Sequence, residues 1–295
     1  NGTIATATDQ ISGIDISGLG DGTLTLSVIL TDTAGNAAGA VTDTATLDAT
    51  APSGHSVTFD DTLISNAESA SISFTFAAAE VGTSYAYTIS STGGGTNVTG
   101  SGNITGAAQQ ISAIDVSGLG DGTLTLSVVL TDTAGNSATA VTDTTTLDKT
   151  APTGHSVSFD DNLINNAEST GISFTFAGAE VGATYDYTIS SSGGGTNVTA
   201  SGTIATATDV NSGIDISGLN DGTLTLSVIL TDPAGNGAAA VTDTSTLDKT
   251  APSGHSISVD QAIINSANEA ALSFTFSGGE VSATYDYSIS SDGGG

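Results

Sequence analysis

The chain has 295 residues, of which 2 are basic and 31 are acidic, giving a formal net charge of -29. That balance excludes nucleic acid as a partner, because phosphate recognition needs several Lys or Arg to displace condensed counterions, and an anionic membrane surface repels such a chain. Cysteine, methionine and tryptophan are absent, which excludes disulfides and thiolate sites and leaves packing or a metal to stiffen the fold. Calcium, which takes carboxylate and carbonyl oxygens, suits a chain of this composition.

Charged residues make up only 11% of the chain and apolar residues 37%, in alternating runs that favour a packed core over disorder. No apolar run approaches the roughly 18 residues that span a bilayer, so membrane insertion is not expected. Asn1 opens in mid-repeat with no signal-peptide pattern, and the chain reads as a piece of something longer.

Leu47 to Pro52 returns, with Lys in place of Ala49, as Leu147 to Pro152 and as Leu247 to Pro252, and superimposing residue n on n+100 requires no gap. With that hexapeptide as the boundary, 1–50 is the C-terminal half of a repeat, 51–150 and 151–250 are complete repeats, and 251–295 is an N-terminal half. The three periods lack only the five residues equivalent to 96–100.

Within a repeat, strands are predicted at 56–59, 71–76, 85–90, 97–105 (one strand or a pair), 111–116, 123–131 and 138–147. Strict alternation places Ile72, Phe74 and Phe76 on one face; Tyr85, Tyr87 and Ile89 share another, as do Ile114 and Val116, and Leu124, Leu126, Val128 and Leu130. Turn-rich segments separate them at 60–69, 77–84, 91–95, 117–122 and 131–136. Asp143 falls on the parity of Val141 and Leu147; an inward carboxylate without a partner is unfavourable, so a bulge or a hydrogen-bonded Asp is expected there.

About seven short strands per hundred residues, with no helix-period stretch, predict an all-β tandem array of seven-stranded antiparallel immunoglobulin-like β-sandwiches. A β-helix would show a period of roughly 20 to 30 residues, and none is present within the repeat.

Three motifs, Leu130 to Asn136, Leu147 to Pro152, and Asp160 to Asn165 followed by Glu168, resemble those of the tandem bacterial immunoglobulin-like repeats of giant repeats-in-toxin, biofilm-associated adhesins. The resemblance covers all 295 residues. It implies an extracellular stalk on the bacterial cell surface, stiffened by calcium at the repeat junctions, that holds a distal binding module away from the cell.

In such a sandwich the trailing pole of repeat 51–150 carries Asp60, Asp61, Glu68 and Asp121 beside the junction Asp148, and the leading pole of the next repeat carries Glu180 and the loop from Asp232 to Asn236. Acidic poles that face each other repel unless a cation with six to eight oxygen ligands bridges them. The expected metal ligands are therefore Asp48, Asp60, Asp61, Glu68, Asp121, Asp132, Asn136, Asp148, Asp160, Asp161, Glu168, Glu180, Asp221, Asp232, Asn236, Asp248 and Asp260. For Asp132 and Asn136 a local Asx turn accounts for the residues equally well. The pattern weakens after 250, where Gln261 stands in the place of Asp61 and Asn268-Glu269 displaces the acid by one position.

Gly118 to Gly122 occurs once per repeat and reads as a tight turn rather than as a stacked calcium nonapeptide. His155, Ser156 and Asp160 could be imagined as a triad, but adjacent residues on a strand point to opposite faces, and no enzyme is expected. His55, His155 and His255 read as junction packing or a pH-sensitive contact. The partners expected are calcium and neighbouring repeats of the same chain or fibre. Two other functions fit the pattern: the Thr-x-Thr runs could form a glycan-, ice- or receptor-binding face, though threonine is also what exposed strands prefer, and the half-repeats could complement each other head to tail in a fibre.

Overall fold

A computed structural model describes residues 1–293. Gly294 and Gly295, the last two positions of the expected half-repeat 251–295, lie outside the described residues. The chain divides into two compact units, one comprising Asn1–Thr150 with Ala234–Asn236, the other starting at Ala151 and taking in the remainder.

The first unit opens with an antiparallel pair, β1 (Gly22–Val28) and β2 (Val41–Leu47). Eight strands follow: β3 (Ser56–Phe59), β4 (Leu63–Ile64), β5 (Ile72–Ala77), β6 (Ser84–Ser91), β7 (Val98–Asn103), β8 (Gln110–Ile114), β9 (Gly122–Thr131) and β10 (Val141–Leu147). They build a three-stranded sheet ordered β3-β5-β8 and a five-stranded sheet ordered β4-β10-β9-β6-β7. This is the immunoglobulin-like sandwich that the alternation predicts, with one addition. After Phe59 the chain leaves the first sheet, and β4 pairs parallel to β10 in the second. A two-residue strand carries no periodicity to read, which is why the sequence hides it.

The second unit repeats the pattern in β11 (Ser156–Phe159), β12 (Leu163–Ile164), β13 (Ile172–Ala177), β14 (Thr184–Ser191), β15 (Val198–Thr203), β16 (Val210–Ile214), β17 (Gly222–Thr231) and β18 (Val241–Leu247). Its sheets are ordered β11-β13-β16 and β12-β18-β17-β14-β15. A final pair, β19 (Ser256–Val259) and β20 (Phe274–Ser277), closes the described chain. Among the described residues no helix is long and apolar enough to cross a membrane.

Each core forms where the two inner faces meet. In the first, Phe74 and Phe76 of β5 lie opposite Ile89, Leu124, Leu126, Val128 and Leu130, all completely buried. Phe74 meets Phe76 and Tyr87 edge-on at 5.5 and 5.4 Å between ring centroids, the arrangement that aromatic quadrupoles favour. Tyr85 and Tyr87 pair across the sheet with Gly102 and Gly100 of β7, where their rings fill the space of the absent side chains.

Strand β8 departs from simple alternation. Its register against β5 slips between Ile72 and Phe74, and Ala113 sits at φ 58°. The extra residue turns both Ile111 and Ile114 toward the core, as a bulge does. In the second unit Gly213 holds the same place at φ 73°.

Strand β10, in contrast, has no bulge, and its register against β9 is unbroken from Val141 to Leu147. Asp143 is instead hydrogen-bonded: the amide of Phe59 donates to its Oδ2 at 2.7 Å. Phe59 lies on β3, an edge strand whose outer amide has no strand partner, so one carboxylate clips the two sheets together and blunts an exposed edge. The amide of Phe159 makes the same 2.7 Å bond to Asp243.

Leu26, Val28 and Leu30 are exposed where Leu126, Val128 and Leu130 are buried, and Phe276, Tyr285, Tyr287 and Ile289 are likewise open.

Candidate functional site

The hexapeptide at the end of the repeat continues directly from the last strand. Strand β10 runs into Asp148, whose amide donates to Ile64 O at 2.9 Å and so extends the parallel pairing with β4 by one bond. Asp148 Oδ1 accepts from the amide of Thr150 at 3.1 Å, an Asx turn. Asp48 and Asp248 make the same turn with Thr50 and Thr250, at 3.3 and 3.1 Å.

Thr150 donates its hydroxyl to Asp121 Oδ2 at 2.6 Å, and Thr250 to Asp221 Oδ2 at 2.5 Å. Asp221 Oδ1 also accepts from the amide of Lys249 at 2.9 Å. The hydrogen bond from the Thr250 hydroxyl, followed by that from the Lys249 amide, holds the Asp221 carboxyl below its ordinary range. The oxygen of Asp121 equivalent to the one bound by Lys249, Oδ1, is buried without a partner.

Lys149 and Lys249 were given no role by the sequence patterns, yet they tie the junction to the loop before β9 and β17. The Lys149 ammonium donates to the carbonyls of Ser117 and Leu119 at 2.8 and 2.7 Å, and Lys249 repeats this with Ser217 and Leu219 at 2.9 and 2.6 Å. Their being the only two basic side chains, at equivalent positions, was the available signal. That loop packs backbone to backbone on the glycine-rich turn between β6 and β7. The Gly120 amide donates to Gly94 O at 2.9 Å, and a Cβ on Gly93 would overlap the carbonyl of Asp121. Close approach is thus what Gly93, Gly95, Gly120 and Gly122 supply.

Glu68 and Glu168 occupy a local motif of their own. Glu68 Oε2 accepts from the amide and the hydroxyl of Ser65 at 2.9 and 2.8 Å, and Ser65 Oγ accepts from the Glu68 amide at 3.4 Å. This is a capping box around a single helical turn. The backbone bond to Ser65, then the hydroxyl bond, lowers the Glu68 pKa. Glu168 accepts from the Asn165 amide at 2.9 Å. After residue 250, Asn268 takes over this role by accepting from the Asn265 amide at 2.7 Å, so the displaced acid leaves the turn intact.

The remaining predicted ligands lie in several places. Asp60 and Asp160 point along the outer face of their three-stranded sheets, accepting from the hydroxyls of Ser73 and Thr75 and of Ser173 and Thr175. Burial works to raise the Asp60 pKa, but the bonds from Ser73, Thr75 and Gln110 outweigh it and the net shift is downward. Asp260 accepts from Thr275 at 2.9 Å. Asp61 and Asp161 contribute their carbonyls, to Thr145 at 2.6 Å and Ser245 at 2.7 Å. Glu180 lies in the turn before β14, and Asp232 is buried in the loop after β17.

Asp132 forms the Asx turn that was one of its two expectations. Its Oδ1 accepts from the amides of Gly135 and Asn136, both at 2.8 Å, and its Oδ2 from Asn136 Nδ2 at 2.8 Å; the Asn136 side-chain bond is the main cause of its lowered pKa. With the carboxylate occupied in this way, the Asn136 side chain is aimed outward, and Nδ2 also donates to the carbonyl of Asp48 at 3.1 Å.

Among the described residues no three His, Asp or Glu side chains gather as a metal-holding group. Glu68 and Asp132 accept hydrogen bonds from their own turns, whereas Asp60, Asp121 and Asp221 accept them from residues distant in sequence. His155, the base of the imagined triad, has both ring nitrogens buried without a partner, and Asp160 is engaged with hydroxyls. His55 is similarly buried and unpartnered, and burial lowers its pKa.

No protein-family model and no curated protein matches the chain. Among solved structures it is similar to a tetra-tandem repeat in the extending region of a large adhesion protein, with 28% identity, coverage of 81% of this chain and a TM-score of 0.37. The match spans 60% of the length of that chain. Fibronectin(III)-like modules of Clostridium thermocellum CbhA match at 12% identity over 65% of this chain and 93% of theirs, TM-score 0.35. The FN1-FN3 domains of chicken CNTN1 match at 13% identity over 77% and 75%, TM-score 0.35. The chain is a tandem array of immunoglobulin-like β-sandwiches.

Proposed function

We propose that the chain is an extender segment of a bacterial cell-surface adhesin, an extracellular spacer in which copy number sets reach. The observation that carries this is the repetition of local structure: the hexapeptide that resembles those of adhesin repeats closes with the same Asx turn at Asp48, Asp148 and Asp248. A spacer needs this property, since any number of identical units can then be joined without new chemistry. The test is a display series in which a known binding module is carried on increasing numbers of repeats. Adhesion through a thick surface layer should rise with repeat number. Binding of repeats 51–250 alone to glycans, ice or host cells would instead make the repeat the binding module.

Calcium belongs to this proposal as a ligand that must displace hydrogen bonds already made. Asp121 Oδ1, buried without a partner, and the junction carboxylates of Asp48, Asp148 and Asp248 are the donors it would recruit. A higher melting temperature in calcium than in magnesium, lost on replacing Asp121 by Asn, is the expected result. Equal melting in calcium and chelator would remove the ion from the proposal.

A further inference from the structure

Within each complete repeat, the first and last strand segments lie side by side and run in the same direction. In repeat 51–150 the amide of Phe59 donates to Asp143 Oδ2 at 2.7 Å, the hydroxyl of Thr145 donates to Asp61 O at 2.6 Å, and the amide of Asp148 donates to Ile64 O at 2.9 Å. Leu63 and Ile64 pair in parallel with Thr146 and Leu147 in the same stretch. Repeat 151–250 makes the corresponding bonds: Phe159 to Asp243 and Ser245 to Asp161, both at 2.7 Å, Thr246 to Asn162 at 3.2 Å and Asp248 to Ile164 at 2.9 Å. The two side-chain bonds of each repeat join residues 84 positions apart, and Ile64 with Asp148 keeps that offset. The bonds therefore form one seam in one register, made by side chains at its start and by backbone at its end.

The polar residues of the seam occupy positions where an apolar side chain would serve the core. Asp143 and Thr145 share the inward parity of β10 with Val141 and Leu147; Thr145 is 6% exposed and its counterpart Ser245 5%. A Val at either place would bury apolar surface and leave no polar group to satisfy. What the polar residues supply instead is direction. Apolar surfaces stay in contact when they slide past one another, whereas a hydrogen bond weakens steeply once its distance and angle are lost.

Sliding is what tension would impose here. The chain enters the sandwich ahead of β3 and leaves it after β10, so a pull on its two ends drives the parallel segments in opposite directions along the seam. A load along a row of bonds is shared by all of them at once, while a load across the row breaks them one at a time.

We propose that this seam is the force-bearing element of the repeat, with Asp143 and Thr145, and Asp243 and Ser245 in the second sandwich, as the latches that hold it against tension along the chain. The inference rests on the spacer reading for its purpose, since a segment that holds a binding module away from a surface carries the load on that module.

The test is a force clamp on the full chain, held by its two ends, which reads one unfolding step for each complete sandwich. Asp143→Ala should accelerate one step about ten- to hundredfold at the same force, as loss of a bond to a charged group does when that bond is broken in the transition state. The other step should be unchanged, and adding Asp243→Ala should accelerate both. Thr145→Val keeps the shape and loses a neutral bond, so about two- to tenfold is expected; it decides the matter if Asp143→Ala fails to fold. Gly93→Ala is the control, because Gly93 lies in the turn between β6 and β7, outside the seam. It should lower stability in urea yet leave the forced step within about twofold of the parent. Forced unfolding as slow as the parent's in both Asp143→Ala and Thr145→Val, or Gly93→Ala accelerating it as much as Asp143→Ala, would overturn the proposal. Neither result would alter the display series, so the spacer reading stands or falls separately.

Discussion

Replacing Asp143 by Ala removes the one acceptor that the outer amide of Phe59 has, and the magnitude of the effect can be worked from the geometry. The bond is short at 2.7 Å, is made to a carboxylate, and serves a residue that is 5% exposed. Hydrogen bonds to charged groups contribute about 1.5–3 kcal/mol, and a buried donor left without a partner carries a similar penalty. The expected loss is about 2 kcal/mol, which for a domain of about 100 residues lowers the melting temperature by roughly 8–16 °C. Asp143→Asn keeps an oxygen in place but loses the charge, so about half that loss is expected. Urea unfolding of residues 51–150 measures both, with the denaturant slope checking that the unfolded state has not changed. If Asp143→Ala unfolds within about 0.5 kcal/mol of the parent, the range of ordinary surface changes, the clip between the sheets is not a stabilising contact and the reasoning fails.

Three further expectations follow from the same structure. Gly93→Ala forces a Cβ onto the Asp121 carbonyl and should destabilise residues 51–150 by about 1–3 kcal/mol in the same urea assay, as overpacking does. Ala113→Gly relieves a left-handed backbone at φ 58°; the release of about 1–2 kcal/mol, less about 0.5–1 lost to the more flexible unfolded chain, should leave the variant about 0.5 kcal/mol more stable. His55, whose pKa burial lowers from its ordinary 6.5, binds its proton more readily in the unfolded chain. Its favourable contribution is therefore complete above the unfolded value and is lost as pH falls below about 6.5 through the lower folded value. Stability measured between pH 7.5 and 5 should decline in the parent and decline less in His55→Leu; parallel curves would show that the imidazole is not responsible.

The strands were legible because their chemistry is local. The alternation of Ile72, Phe74 and Phe76, and of Leu124 through Leu130, reports a face directly, and the structure buries those residues as the pattern requires. Strand β4 and the bulge at Ala113 were not legible, since a two-residue pairing and a single left-handed residue leave no period. The inward position of Asp143 was visible, but its partner was not: Phe59 is 84 residues away in sequence.

The candidate site divides along the same line. Motif spacing located the repeating unit, because a strict repeat of one hundred residues can be read without coordinates. What those residues do there depends on which atom of each is free. Glu68 is spent on Ser65 and Asp132 on its own turn, while Asn136 and Lys149 take carbonyls that no one-dimensional pattern exposes. By itself, the sequence determined the repeat, the sandwich class and the acidity of the poles, all consequences of side-chain type and period. Only the tertiary structure decided the pairing of donors with acceptors, because hydrogen bonds are set by direction and distance between groups that the chain brings together from far apart.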